Sequence, residues 1–122
     1  MNERYGFSAG DWEAGREEAR EAIIERARTE STISYSELAG RITSIRVQAD
    51  SHALAALLGE ISRNEHEAGR GLLSVLVVHK TGDMMPGPGF YQLAEELGED
   101  AHDRERYWVE EFKRVTSNWT LQ

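Results

Sequence analysis

The feature that most constrains the fold is a pair of consecutive helical segments followed by a short apolar run and a loop rich in proline and glycine. The helical segments are residues 34–43 and 50–65, and in the second one leucine and isoleucine recur at i, i+3, i+4 and i+7. Leu72–Val78 is apolar and β-branched, which predicts a buried strand. Met84–Gly89 holds two prolines and two glycines, so we expect no regular structure there. This order of elements predicts a winged helix-turn-helix.

Short polar residues mark where these helices begin. Ser34 and Glu37 have the spacing of a capping box, in which the serine hydroxyl accepts from the Glu37 amide and the Glu37 carboxylate reaches back to the Ser34 amide. Asp50 or Ser51 opens the second helix, because a short polar side chain can accept from a free amide in the first turn. Gly69 ends that helix.

Further helices are predicted on both sides of this unit. Ser8 or Asp11 caps the first, which runs to about Thr29, and Asp100 or Asp103 starts the last. The fold class is therefore α+β: a mainly helical winged helix-turn-helix with a small sheet and extra N- and C-terminal helices.

Length and composition bound the class of protein. With 122 residues one domain is expected, and we assign residues 1–10 to a flexible arm and residues 11–122 to a single winged-helix-like domain. The chain has no cysteine, which excludes disulfides, thiolate zinc sites and cysteine nucleophiles. Apolar runs are too short for a membrane span and no signal peptide is visible, so a cytoplasmic location is expected. No cofactor is predicted.

The formal net charge of −8 argues against strong non-specific binding to nucleic acid. The acidity is concentrated in the ends of the chain: residues 1–35 carry −3, residues 36–82 carry zero and residues 83–122 carry −5. The predicted winged unit thus lies in the neutral part, and any contact with nucleic acid falls to a few residues there.

Thr32–Ala39 resembles the start of the winged-helix half of the alkylguanine-DNA alkyltransferases and alkyltransferase-like proteins, where a Thr-Tyr-Gly-Glu-Ile-Ala type stretch opens the first helix. Ala56–Gly59 stands where that family has its reading helix, and Leu73–Val78 where it has a Pro-Cys-His-Arg-Val-Val strand. Two segments, Thr81–Asp83 and Gly87–Phe90, stand where that family has its wing. The resemblance covers about residues 30–91 and implies a winged-helix fold that binds DNA.

The chain departs from that family at the reactive residues. On this alignment Ser74 stands at the reactive cysteine, Val75 at the histidine and Leu76 at the arginine. Without a thiolate and its histidine partner, alkyl transfer is excluded. The chain also resembles a group of small bacterial proteins that share a Gly-Leu-Leu-Ser-x-Leu-Val-Val strand, a Pro-Gly-x-Gly-Phe loop and a Trp-containing last helix; this group implies no activity.

The predicted nucleic-acid contacts follow from how a winged unit docks, with the N-terminal end of its second helix in the major groove. Gln48, Ser51 and His52 are the candidates for base contact. Tyr35 and Ser36, at the start of the first helix, would meet phosphate through free amides. The candidates for phosphate contact through side chains are Arg41, Arg46, Arg63, Arg70 and Lys80.

The predicted function is that of a non-enzymatic, regulatory module that binds DNA weakly or with a partner's help. One alternative is an acidic adaptor or inhibitor, of the immunity, antitoxin or DNA-mimic kind, whose acidic terminal helices engage a basic protein. A second is a metal-dependent nuclease that pairs Asp50 or Glu60 with Lys80. We predict no bound metal, although Glu60, His66 and Glu67 can share one helix side. A homodimer through aromatic residues of the terminal helices is also open.

Overall fold

The computed structural model describes residues 4–120; residues 1–3 of the predicted arm and 121–122 of the predicted domain lie outside this range. The fold is α+β and mostly helical. β1 and β2 form a two-stranded parallel sheet, with Ile33 opposite Val77 and Ser34 opposite Val78. The elements in chain order are α1 (Ala9–Arg28), β1 (Ile33–Ser34), α2 (Tyr35–Arg41), α3 (His52–Glu67), a 3₁₀ helix (Leu73–Leu76), β2 (Val77–Val78), α4 (Pro88–Glu96) and α5 (Arg104–Thr120).

Three helix starts agree with the sequence prediction. The hydroxyls of Ser8, Ser34 and Ser51 each accept from the backbone amide three residues later, at 3.1 Å. The second half of the predicted capping box is wrong, because the Glu37 carboxylate pairs with Arg26 of α1 and not with the Ser34 amide. The packing of α2 on α1 brings the guanidinium within reach, and a charged donor gives the carboxylate a stronger hydrogen bond.

The predicted strand at Leu72–Val78 is wrong over most of its length. Leu73–Leu76 is a 3₁₀ helix, and only Val77 and Val78 are extended in a sheet. Every residue of the run is buried. The apolar, β-branched composition of this segment therefore predicts that it is buried but does not predict its conformation. When every residue is buried, no hydrophobic periodicity distinguishes a helix from a strand.

The loop predicted at Met84–Gly89 also ends earlier than expected. Pro88 and Gly89 are the first residues of α4, with Gly87 as the N-cap. Proline suits this position because the first helical residue has no intrahelical partner for an N–H and needs a φ close to that of the ring. The His79 amide donates to the Met85 carbonyl at 3.0 Å and closes the remaining loop.

The winged helix itself is not confirmed. The strand that follows α3 pairs in parallel with β1, and no antiparallel hairpin follows α3 within residues 4–120. Residues 42–51 separate α2 from α3, where a helix-turn-helix has a turn of about three or four residues.

Helix α1 is the centre of the core, and α2, α3, α5 and the 3₁₀ helix pack on it. Its inward face carries Ala19, Ile23 and Ala27, which are fully buried. At Gly15 a Cβ would lie 2.7 Å from Cγ1 of Ile45, so the chain after α2 reaches α1 only because this residue has no side chain. Small residues on one helix face thus let several elements pack closely.

Residues 4–7 of the predicted arm contact this core. Arg4 and Phe7 exchange two backbone hydrogen bonds of 2.9 Å. The rings of Tyr5 and Phe7 lie 5.6 and 6.4 Å from the ring of Trp12. In the part of the chain that the structure describes, none of the helices is long and apolar enough to cross a membrane.

Candidate binding groove

A groove of about 670 Å³ lies between α3 and α4. Its walls are residues 49–63, which include the first half of α3, and residues 87–96, which include α4; Tyr5, Tyr35 and Ser74 complete it. We call it the α3–α4 groove. Both helices begin at this groove, so the positive ends of two helices lie beside the same space.

Tyr35 connects the start of α2 to the start of α4 at the edge of the groove. Its hydroxyl accepts from the Gly87 amide at 2.8 Å, and its ring lies 5.0 Å from the ring of His79. Burial raises the pKa of the Tyr35 hydroxyl, which the bond from Gly87 only partly offsets. The phenol is therefore neutral at physiological pH and leaves a proton to donate.

The charges along the groove largely cancel. Glu60 accepts from Arg16 at 2.7 Å and from the Trp12 indole at 3.1 Å, and Arg4 also pairs with it. Arg63 donates to Glu96 at 2.7 Å. The groove therefore offers a ligand few positive charges that are not already paired with a carboxylate.

Two glycines leave the wall of the groove without side chains. A Cβ at Gly59 or at Gly89 would meet no atom within 4 Å. Glycine in a helix interior costs about 0.5–1 kcal/mol relative to alanine, and at Gly15 close packing explains that cost. No packing contact explains it at Gly59, in the middle of α3.

The structure brings four of the ten predicted contact residues together: Tyr35, Ser51, His52 and Arg63 line the groove. Ser51 is the N-cap of α3, and the exposed His52 is its first residue. The other six do not line the groove. Four of these six residues have exposed side chains elsewhere on the surface: Ser36, Arg46, Gln48 and Lys80.

The two remaining arginines are held elsewhere by carboxylates. Arg41 donates to Glu25 of α1 at 3.1 Å. Arg70 donates to Glu65 through Nε at 2.7 Å and through Nη2 at 2.9 Å. The predicted basic residues therefore do not converge on the face that carries Ser51 and His52.

The residues invoked for a metal or a nuclease are not assembled into a site either. Glu60 is occupied by arginines, and Lys80 lies outside the groove that Asp50 and Glu60 line. Within residues 4–120 there is no group of three metal-ligating side chains.

Sequence reasoning missed a set of buried polar residues beneath the surface. The Ser62 hydroxyl donates to the Ser74 hydroxyl at 2.6 Å and accepts from the Ser74 amide at 3.0 Å. Glu65 and Glu111 are also buried. A signal was present: Ser62 and Glu65 each follow an apolar residue of the α3 stripe by four positions, which places them on its buried side.

Comparison of the chain with protein-family models, with curated proteins and with solved structures found no match.

Proposed function

We propose that the protein is a non-enzymatic module that binds DNA through the α3–α4 groove, weakly or with the help of a partner. The observation that carries this proposal is the meeting of the N-termini of α3 and α4 with Tyr35, His52 and Arg63 in one groove. First-turn amides and Arg63 can contact phosphate, and the Tyr35 and His52 side chains can contact bases.

Two sequence features support DNA as the ligand and binding as the activity. The start of α2 resembles the opening of the winged-helix half of alkyltransferases and alkyltransferase-like proteins. Ser74 stands where that family has its reactive cysteine, and its hydroxyl accepts a hydrogen bond from the Ser62 hydroxyl at 2.6 Å. Binding without covalent transfer is consistent with both.

The charge distribution sets the expected affinity. Arg63 is the one predicted arginine that lines the groove, and Glu96 already pairs with it. With about one to three phosphate contacts, log K falls with log salt by a slope of about −1 to −3. We therefore expect weak binding, and we expect base or sugar contacts to provide a large part of it.

Fluorescence anisotropy with a labelled duplex and its single strand, at about 20 and 150 mM salt, tests the proposal. Gly59→Ala puts a methyl group into the groove without a clash, and we expect it to weaken binding by about tenfold, equivalent to about 1.4 kcal/mol. Gly40→Ala is the matched control, because Gly40 is a helix glycine with open space outside the groove. Absence of binding at low salt, or equal weakening by both variants, overturns the proposal.

A second candidate function is docking of a basic protein on the acidic side of α1. A cleft of about 610 Å³ lies there, and its lining holds four glutamates, Glu17, Glu18, Glu21 and Glu25, against two arginines, Arg28 and Arg41. The excess of negative charge in this cleft favours a positively charged partner. Glu21→Lys should abolish retention of a basic DNA-processing protein, and Glu105→Lys, on the exposed side of α5, should retain it; equal retention by both excludes this function.

A further inference from the structure

Three arginines surround the ring of Trp119 near the end of α5. The guanidinium carbons of Arg20, Arg28 and Arg70 lie 5.6, 5.9 and 5.8 Å from the ring centroid. Arg20 and Arg28 belong to α1, and Arg70 follows α3. We call these four residues, together with Glu65, the Trp119 cluster.

The cluster has more positive than negative charge. Glu65 accepts from Arg20 at 3.2 Å and from both donors of Arg70, and it is 2% exposed. Although burial acts to raise the pKa of Glu65, the Arg70 hydrogen bond and the charges of Arg20 and Arg70 lower it, so the carboxylate is ionised. Glu17, which is exposed, forms an ion pair with Arg20 at 3.3 Å. Arg28 forms no ion pair with any carboxylate in residues 4–120.

The cluster also has more hydrogen-bond donors than acceptors. The indole N–H of Trp119 is buried and has no acceptor among the described residues. Buried donors in folded proteins are nearly always paired, and an unpaired one costs about 1–3 kcal/mol. The Arg28 guanidinium adds further donors that no carboxylate in the described part of the chain occupies.

The position of the cluster explains only part of this arrangement. Arg28 lies in the last turn of α1 and Trp119 near the end of α5, so arginine here complements the negative ends of helices. That effect accounts for positive charge near the helix ends. It supplies no acceptor for the Trp119 indole and no ion pair for Arg28 within residues 4–120.

We propose that the Trp119 cluster binds a phosphate group. Arginine presents a planar fork of donors that matches phosphate oxygens, and three such groups lie within 6 Å of the centroid of one ring. Its residues do not line the α3–α4 groove, and the site does not depend on the proposed function. Asn118 supports it, because its side-chain amide donates to the carbonyl of Arg70 at 3.0 Å and positions that loop.

The three tryptophans of the chain provide a test with internal controls. The indole of Trp12 donates to Glu60 and that of Trp108 to the carbonyl of Val75 at 2.9 Å. Inorganic phosphate is titrated to about 20 mM against chloride at constant ionic strength, and the three indole resonances are followed in ¹H–¹⁵N spectra. Trp119→Phe assigns the resonance. We expect a saturable shift of the Trp119 resonance and none for the other two.

Arg28→Gln separates binding at this site from a general salt effect. Arg20 and Arg70 hold the buried Glu65, so their variants can unfold the protein, whereas Arg28 is exposed and pairs with no described carboxylate. We expect Arg28→Gln to weaken phosphate binding by about tenfold or more, as for loss of a charged hydrogen bond. Arg106→Gln, an exposed variant on α5, should bind phosphate like the original protein.

Dimethyl phosphate, a diester, serves as the second probe. Tighter binding of inorganic phosphate indicates a free anion or a monoester, and equal or tighter binding of the diester indicates a nucleic-acid backbone; both confirm the phosphate site. Absence of a saturable Trp119 shift with either probe, or an unchanged affinity in Arg28→Gln, overturns it. Gly59→Ala should leave this titration unchanged, so failure in the groove and failure here are distinguishable.

Discussion

The backbone N–H of Leu72 donates to Oε2 of Glu111 at 2.6 Å, although the two residues are 39 positions apart in the chain. Glu111 is 1% exposed. Gly71, the residue before Leu72, has a φ of +91°, and a Cβ at this position would lie 2.9 Å from Oε2 of Glu111. A buried carboxylate of α5 and a glycine therefore fix the turn that leads from α3 into the 3₁₀ helix.

The first prediction concerns the pH dependence of stability through Glu111. Burial raises its pKa above the ordinary 4.5, and the bond from Leu72 and the charge of Arg114 oppose this only in part. A group with a raised folded pKa contributes stability that is present below about pH 4.5 and is lost as the pH rises through the folded pKa. The free energy of unfolding of the original protein, relative to that of Glu111→Gln, should therefore fall as the pH rises above about 4.5. The fall should be about 1.4 kcal/mol for each tenfold decrease in the acid dissociation constant of Glu111 on folding.

Urea unfolding at a series of pH values measures this difference. Gln keeps an oxygen that can accept from Leu72 and removes the titration. Glu105→Gln, on the exposed side of α5, is the control and should show no such trend. A difference between the original protein and Glu111→Gln that stays constant with pH contradicts the prediction.

The second prediction has the opposite sign and concerns Glu18. Its carboxylate accepts from the Thr43 hydroxyl and from the amides of Thr43 and Ser44, at 3.1 and 2.8 Å. These bonds, that from the Thr43 side chain first, lower the pKa of Glu18 to about 2. Stability from a depressed pKa is present above about pH 4.5 and is lost as the pH falls through the folded value.

We expect Glu18→Gln to cost about 1 kcal/mol at neutral pH, allowing for screening of a partly exposed group, and progressively less as the pH falls toward 2. Chemical unfolding at pH 7 and pH 3 gives the comparison. Glu13→Gln, on an exposed site of the same helix, should cost little at either pH. An equal cost for Glu18→Gln at both values would show that its hydrogen bonds do not depend on ionisation.

The third prediction compares two glycines in helix interiors. Gly15→Ala places a methyl 2.7 Å from the buried Ile45, and such overpacking costs about 1–3 kcal/mol. Gly59→Ala meets open space, so helix propensity alone should stabilise the protein by about 0.5–1 kcal/mol. Thermal unfolding should therefore move in opposite directions for the two variants. Equal destabilisation by both would mean that the wall of the groove is already closely packed.

Local signals in the sequence predicted the helices well. Ser8, Ser34 and Ser51 have side chains that bond to amides three residues away, and such contacts depend only on nearby residues. The Leu72–Val78 segment depends instead on what surrounds it. Its short partner β1 leaves most of the run without a ladder, and the 3₁₀ helix supplies the missing backbone bonds, such as that from the Val75 amide to the Leu72 carbonyl.

The groove was only partly predictable for the same reason. Ser51 and His52 start α3, so a helix boundary was sufficient to place them in the groove. Arg41 pairs with Glu25 and Arg70 pairs with Glu65, and neither pairing follows from the basic residues alone. A count of basic residues in one segment therefore overstates the charge that a ligand meets.

The last prediction concerns the buried pair of Ser62 and Ser74 behind the groove. The Ser62 hydroxyl accepts from the Ser74 amide and donates to the Ser74 hydroxyl. Ser62→Ala removes both bonds and leaves a buried amide unpaired, which should cost about 1–3 kcal/mol. Ser74→Ala removes only the side-chain bond and should cost about 1 kcal/mol. Urea unfolding of both variants measures the difference; a larger cost for Ser74→Ala would mean that the Ser74 amide finds another acceptor, so that Ser62 does not hold the 3₁₀ helix against α3.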